Sequence, residues 1–239
     1  MCEFCDLERS MADVAGAGHP ATSEWFWAEL RAIQQRWDVL RHPFYTRWSA
    51  GDLRRHELKA YAEEYDHLVI ALAVASRNAA QKADGLLGDA LSKHAEEEVA
   101  HVNLWREFAK ETGWGPADVW HYGAEPYPDT VVCAREWGGD LRRSLALDLV
   151  TLYAIEGPQP RIAQTKLEGL LGHYGFTEGP ATEYFSLHAE VDKQHAALAQ
   201  SALEGLLEQE DPFELLAQAG RVHRSYWHML DGLEGAGGE

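Results

Sequence analysis

Residues 184–195 read YFSLHAEVDKQH, and this segment combines helical periodicity with three potential metal ligands. His188, Asp192 and His195 follow one another at spacings of four and three positions. Because an α-helix turns by about 100° per residue, these side chains project from one face of a helix. Two imidazoles and a carboxylate form a ligand set that iron, manganese and zinc accept. A solvated helix face is the alternative interpretation of the same residues.

The same helical periodicity continues in both directions along the chain, and no segment shows sustained strand alternation. We therefore predict an all-α protein, a single domain built as a bundle of about seven helices. The predicted helices cover residues 25–48, 52–81, 84–112, 117–121, 127–139, 141–156 with a continuation to 171, 180–210 and 212–233. Pro158 and Pro160 predict a kink directly after Glu156. Residues 1–22 are expected to be irregular, and residues 234–239 to form a frayed tail.

The composition is that of a globular protein with a strongly acidic surface. The chain of 239 residues is 46% hydrophobic and 25% charged, which suffices for one buried core. Its formal charge of −18 repels phosphate, so nucleic acids and anionic membranes are not expected as partners. Its apolar runs, such as residues 68–75, are far shorter than the roughly 20 residues that a membrane span needs. Residues 1–10 lack the apolar core of a signal peptide, so we expect a cytoplasmic protein.

The three cysteines cannot form a disulfide framework. Cys2 and Cys5 make a Cys-x-x-Cys pair, but a structural zinc site would need a second such pair. Cys133 stands alone, and we interpret it as a packing residue.

A second group of potential ligands lies in residues 96–101, which read EEEVAH. Glu97 precedes His101 by four positions and Glu98 precedes it by three, and either pair can chelate one ion from a single helix. Three consecutive glutamates cannot all face the core, so a solvated face is the alternative here too. The choice between Glu97 and Glu98 stays open at this point.

Glu156 ends the apolar run of residues 145–156 and is therefore expected to be partly buried. A buried carboxylate needs a partner or a metal ion, whereas a surface glutamate at a helix end would need neither. Three predicted helices thus offer enough ligands for two metal ions. Mixed oxygen and nitrogen ligation favours iron or manganese over structural zinc.

These residues resemble the heme-oxygenase-like diiron oxidases, and most closely the family of the chlamydial protein associating with death domains. The matching segments are residues 42–53 (HPFYTRWSAGDL), 58–65, 96–105, 152–166, 184–195 and 226–231. The resemblance implies a TenA/PqqC-like bundle of seven helices without heme, which holds two Fe2+ ions and uses dioxygen. Manganese is the alternative metal. The ligands that the resemblance implies are Glu97, His101, Glu156, His188, Asp192 and His195.

The resemblance implies a non-heme di-iron oxidase or oxygenase acting on a small amino-acid-like or amine substrate. The reaction would be desaturation, carbon–carbon cleavage or N-oxygenation. We expect an external electron donor as a partner, and we expect the protein to form a homodimer. Some members form p-aminobenzoate by consuming one of their own tyrosines, with a lysine as amine donor. Tyr45 and Lys166 match two of the positions implicated, whereas Ile155 replaces the tyrosine that precedes the ligand glutamate in those members. Core packing of Tyr45 and a surface position of Lys166 are the structural alternatives.

Two further function classes compete with the oxidase. Thiaminase-like hydrolases share this fold without metal and need a nucleophilic cysteine, for which Cys133 is the only mid-chain candidate. An interaction protein that binds partner helices is compatible with the acidic surface, but it leaves the set of inward-facing ligands unexplained.

Overall fold

The computed structural model describes residues 22–114 and 125–236. Within these ranges the chain is helical and forms no strand, so the predicted all-α class is confirmed. The predicted turn at residues 117–121 and the segment 1–21 lie outside the described residues. The helices are α1 (Ser23–Arg36), α2 (Pro43–Ala50), α3 (Arg55–Ala80), α4 (Gly85–Thr112), α5 (Pro128–Gly138), α6 (Leu145–Glu156), α7 (Gln159–His173), α8 (Pro180–Glu204) and α9 (Pro212–Ala236), with short 3₁₀ turns at Val39–Arg41 and Leu207–Gln209.

The continuous helix predicted over residues 25–48 is wrong, because the structure divides it into α1, a 3₁₀ turn and α2. The carboxylate of Asp38 accepts a hydrogen bond from the backbone N–H of Leu40, which caps the 3₁₀ turn. Nδ1 of His42 accepts one from the N–H of Phe44 and caps α2 in the same way. Pro43 has no N–H to donate to a preceding turn, so it begins a helix rather than continuing one.

Four other boundaries differ from those predicted by three residues or more, and the first is the start of α3, at Arg55 rather than residue 52. The helix predicted from residue 141 begins at Leu145, because the Ser144 side chain caps it by accepting from the N–H of Leu147. The helix predicted to residue 210 ends at Glu204. The last helix continues to Ala236, where an ion pair of 2.9 Å between Glu234 and Arg47 holds the final turn. Residues 234–236 are therefore helical rather than frayed.

The predicted interruption after Glu156 is present and separates α6 from α7. α8 packs against α4, α6 and α7, while α3 packs along α4 and α5. α4, α6 and α8, which carry the predicted ligands, are therefore neighbours inside one bundle. No helix in the described ranges is both long enough and apolar enough to cross a membrane.

Candidate metal centre

Four buried side chains from three helices form a first group of potential ligands. His94 and Glu98 lie on α4, Glu156 on α6 and His195 on α8, and one ligand atom from each lies within 4.8 Å of the others. Nε2 of His94 is 2.7 Å from Oε1 of Glu156. Nδ1 of His195 is 3.6 Å from Oε1 of Glu98. Two nitrogens and two carboxylates at these separations can surround one divalent ion.

A second group shares Glu98 with the first. Glu98, His101 and His188 are all buried, and their ligand atoms also lie within 4.8 Å of one another. Asp192 is buried one helical turn after His188, and its Oδ1 is 3.6 Å from Nδ1 of His195. Because one carboxylate belongs to both groups, the arrangement has room for two adjacent ions.

We call these seven residues the ligand cluster: His94, Glu98, His101, Glu156, His188, Asp192 and His195. The cluster contains many buried polar atoms without a hydrogen-bond partner. Buried polar atoms are normally satisfied in folded proteins, so a concentration of exceptions calls for an explanation. A bound cation would supply it, because every one of these atoms is a nitrogen or an oxygen that metals accept. The unpartnered atoms are Nε2 of His94, Oε2 of Glu98, both carboxylate oxygens of Glu156 and Asp192, Nε2 of His188 and Nδ1 of His195.

The orientation of His188 is fixed by its other ring nitrogen. Nδ1 donates a hydrogen bond of 2.6 Å to the backbone carbonyl of Tyr184, and the Tyr184 ring stacks on the imidazole at 4.0 Å. Since a carbonyl can only accept, the proton is on Nδ1 and the lone pair of Nε2 faces the cluster. This is the tautomer required of a ligand that binds through Nε2.

Within the ligand cluster, the charges of the histidines and carboxylates shift one another's pKa values. Burial disfavours the ionised form of Glu98, but the hydrogen bond and charge of His101 outweigh burial and lower the pKa of Glu98. Burial alone would lower the pKa of His195, yet the nearby carboxylates of Asp192 and Glu156 raise it to about 9. A divalent cation would take the place of these protons on the histidines.

The structure brings together five of the residues that the resemblance named: His101, Glu156, His188, Asp192 and His195. Of the two adjacent glutamates, Glu98 is fully buried in the cluster, whereas the Glu97 side chain is 39% exposed and touches His195 from the rim. His94 was not predicted. Its spacing of four residues before Glu98 and seven before His101 places it on the same helix face, and this spacing could have revealed it.

A second cluster, of phenols, surrounds Tyr45. The Tyr45 hydroxyl is fully buried and lies 2.6 Å from the hydroxyl of Tyr226 and 2.9 Å from that of Tyr61. The Tyr65 hydroxyl accepts a hydrogen bond of 2.8 Å from Nε2 of Gln159. Burial raises the pKa of Tyr45 well above its ordinary value, so its phenol carries a proton.

Lys166 is 1% exposed and lies in the core instead of at the surface. Its Nζ is 4.2 Å from the centre of the Tyr65 ring and forms no salt bridge with the described residues. Burial lowers the pKa of Lys166 well below its ordinary value, against the opposing charge of Asp192, so the surroundings favour the neutral amine. We call the surrounding rings the lysine cage: Tyr45, Tyr61, Tyr65, Trp105 and Phe185, each with its centre within 5.9 Å of Nζ.

The lysine cage and the ligand cluster are adjacent. Trp105 of the cage packs against Tyr184 at 5.0 Å between ring centres, and Tyr184 stacks on the ligand-cluster residue His188. Arg161, which the sequence offers by its position as a second basic residue that could hold a substrate carboxylate, is exposed and pairs with Asp38 at 2.9 Å.

Cys133 is fully buried on α5 and accepts a hydrogen bond of 3.5 Å from the Ser225 hydroxyl. Burial raises the pKa of its thiol far above the ordinary value. A nucleophilic cysteine requires a thiolate, so this environment disfavours the thiaminase-like alternative.

Comparisons with known proteins agree with this arrangement. The profile of a family described as iron-containing redox enzymes matches residues 47–229. The 4-aminobenzoate synthase of Chlamydia trachomatis is 32% identical over 213 residues, which cover 86% of this chain and 90% of that protein. The protein of the same name from Nitrosomonas europaea is 28% identical over 223 residues, with coverage of 87% and 90%.

Solved structures show the same fold. A TenA homolog from Pseudomonas syringae superposes with a TM-score of 0.75 at 16% identity, covering 92% of this chain and 95% of that one. A domain with a heme oxygenase-like fold from Shewanella denitrificans gives 0.67 at 19% identity, with coverage of 86% and 90%. The resemblance stated from the sequence is confirmed: the chain belongs to the family of iron-containing redox enzymes and is an oxidoreductase with the heme-oxygenase-like fold.

Proposed function

We propose that this protein is a dioxygen-dependent di-iron enzyme that forms 4-aminobenzoate from its own side chains, with Tyr45 supplying the ring and Lys166 the nitrogen. The observation that carries the proposal is the burial of both residues in one cage, where Nζ of Lys166 lies 5.9 Å from the centre of the Tyr45 ring. The names of the relatives at 32% and 28% identity support the same product.

The proposed metal ligands are the seven members of the ligand cluster, with Glu98 in preference to Glu97. The unpartnered nitrogens and oxygens of these residues support this assignment. Glu98 belongs to both groups, so a single carboxylate can serve two ions. Bound iron would supply the activation of dioxygen, which is the oxidant of the reaction.

Lys166 would act as a neutral amine. Transfer of its nitrogen requires an unprotonated lone pair, and desolvation within the aromatic cage favours this form. The rings also exclude water, which would otherwise compete with the amine for an oxidised ring. Asp192 connects the two parts of the site, since its charge acts on Lys166 while its side chain lies in the ligand cluster.

Tyr45 would be the ring donor, and the neighbouring phenols hold its hydroxyl in place. The conversion would break the Cα–Cβ bond of Tyr45 and the Cε–Nζ bond of Lys166. Cβ would become the carboxylate carbon, the phenolic oxygen would leave as water when nitrogen takes its place, and Cε of Lys166 would remain as an aldehyde, while dioxygen would accept the electrons. Oxidation of a phenol releases its proton, and Oη of Tyr226, at 2.6 Å, is the nearest acceptor. One chain can therefore yield at most one product molecule.

Isotope labelling tests the proposal directly. The protein is produced with ring-13C tyrosine and ε-15N lysine, loaded anaerobically with Fe2+, and exposed to dioxygen with a reductant. We expect 4-aminobenzoate that carries both labels, in no more than one equivalent per chain. Peptide mass spectrometry should show matching losses at Tyr45 and Lys166, and both Tyr45→Phe and Lys166→Met should abolish the product.

An oxidase acting on a free amine or amino acid is the second candidate, and Ile155 favours it. This residue is buried beside Glu156 and occupies the position where the self-consuming relatives have a tyrosine. Such an oxidase would turn over many times on an added substrate and would leave Tyr45 and Lys166 unchanged. Repeated turnover that survives Tyr45→Phe would overturn the self-consuming reaction.

A further inference from the structure

The two nitrogens of the His195 ring face different carboxylates. Nδ1 points into the ligand cluster, 3.6 Å from Oε1 of Glu98 and 3.6 Å from Oδ1 of Asp192. Nε2 points outward and lies 3.1 Å from Oε2 of Glu97. The exposed fractions of the two side chains are 9% for His195 and 39% for Glu97, so this contact lies at the rim of the cluster.

This contact determines which nitrogen of His195 carries the proton. A carboxylate only accepts hydrogen bonds, so the Nε2 that faces Glu97 keeps its hydrogen when the ring gives up a proton to bind metal. The lone pair is then on Nδ1, the nitrogen that has no hydrogen-bond partner and faces the cluster. His188 shows the complementary arrangement, with its proton on Nδ1 and its free lone pair on Nε2.

We infer that Glu97 is a positioning residue: it holds His195 in the orientation and tautomer in which Nδ1 binds metal, without binding metal itself. The inference rests on the metal centre of the proposed function and assigns Glu97 a role different from the ligand role that the resemblance implied. Lys93 lies 3.2 Å from the other oxygen of Glu97 and is itself 78% exposed, so it can hold the carboxylate in this position from the solvent side. Carboxylates that accept from the free N–H of a ligand histidine recur in metal sites and fix the ring.

Metal binding to substituted proteins separates a positioning role from a ligand role. Binding of Mn2+ to the metal-free protein is measured by titration calorimetry for the unsubstituted chain, Glu97→Ala and Glu97→Gln. Glutamine keeps an oxygen that can accept from Nε2 but is a poor metal ligand. We expect Glu97→Ala to weaken binding by about 10- to 100-fold, and Glu97→Gln to bind nearly as the unsubstituted protein does.

Glu96→Ala is the matched control. Glu96 is the exposed neighbour of Glu97, and its removal changes the net charge by the same amount without touching His195. Its Mn2+ affinity should equal that of the unsubstituted protein. A comparable loss in Glu96→Ala would mean that general charge, and not the contact with His195, accounts for the effect and would overturn the inference.

A second readout observes the ring itself. Nitrogen NMR of histidine-labelled protein saturated with diamagnetic Zn2+ should show the His195 proton on Nε2 and the metal on Nδ1 in the unsubstituted chain and in Glu97→Gln, and should show this preference lost in Glu97→Ala. Equal loss of Mn2+ affinity in the glutamine and alanine variants would make Glu97 a ligand and overturn the inference. Unchanged affinity in Glu97→Ala would also overturn it. Absence of Mn2+ binding by the unsubstituted protein would instead contradict the metal centre of the proposed function.

Discussion

Nε2 of His94 lies 2.7 Å from Oε1 of Glu156, and the two side chains reach each other from α4 and α6. Both are buried, with relative exposures of 2% and 0%. Neither oxygen of the carboxylate has a hydrogen bond of good geometry, so a divalent cation would bind where these two side chains meet. We therefore propose that His94 is a ligand that extends the set implied by the resemblance.

His94→Ala should lower iron occupancy as much as His188→Ala, Asp192→Ala or His195→Ala does. Each substitution removes one ligand atom while the apolar face of its helix stays intact, so circular dichroism should remain that of a helical bundle. Iron is measured by elemental analysis after anaerobic loading. His56→Ala, at an exposed position on α3, is the control. Full iron loading of His94→Ala would leave His94 with only a hydrogen-bonding role toward Glu156.

Divalent metal should raise the Tm of the metal-free protein, because an ion that binds only the folded state stabilises it by mass action. Saturation at a hundred times the Kd contributes about 2.7 kcal/mol. Glu156→Gln keeps the size of the side chain but removes its charge, so we expect weaker binding of a second ion and a smaller increase in Tm. Scanning calorimetry with and without Mn2+ measures both effects. An equal increase in the two proteins would exclude Glu156 from the metal centre.

Lys166→Met should fold at least as stably as the unsubstituted protein and form no product. Methionine fills similar space without an amine that must be desolvated, whereas Lys166→Arg buries a cation that cannot lose its proton. We therefore expect Lys166→Arg to lower the urea midpoint and Lys166→Met to maintain or raise it. A destabilised methionine variant would show that Lys166 is a paired, charged residue in the folded protein.

Tyr226→Phe should slow product formation from Tyr45 while costing only about 1 kcal/mol of stability, the usual contribution of one hydrogen bond. The ring keeps its packing against Trp137 and Tyr65, and only the hydroxyl that contacts Tyr45 is lost. The rate is followed in a single turnover started with dioxygen. Tyr153→Phe, half-buried and packed on Trp27, is the control and should react at the original rate. Equal rates in both variants would exclude a role for the Tyr226 hydroxyl.

His223 should make the protein less stable in mild acid. Burial lowers its pKa from 6.5 to about 4, and the charge of Asp38 opposes this only in part. Between these values the unfolded chain binds a proton that the folded chain does not. The free energy of unfolding therefore falls as the pH drops from 6.5 towards 4, by about 3 kcal/mol at most. Urea unfolding at pH 7 and 4.5 should show a smaller loss in His223→Gln than in the unsubstituted protein, whereas His56→Gln should show the full loss.

The candidate ligands on α8 illustrate what could be predicted from sequence. His188, Asp192 and His195 belong to one helix, and helical geometry alone sets the angle between their side chains. The interruption after Glu156 was predictable for a similar local reason, since proline lacks the N–H that a continuing helix needs. The break before Pro43 has the same cause, but it was not predicted. Residues 25–48 have a continuous helical pattern, and the capping side chains of Asp38 and His42 do not interrupt that pattern.

The sequence by itself determined the helical class, the position of the prolyl break after Glu156 and the relative directions of side chains within each helix. It could not determine how each helix is rotated about its axis against its neighbours. That rotation decided that Glu98 enters the cluster while Glu97 stays at the rim, and that His94 faces Glu156. It also decided that Lys166 is enclosed by aromatic rings, because burial of an amine depends on the rings that other helices bring around it.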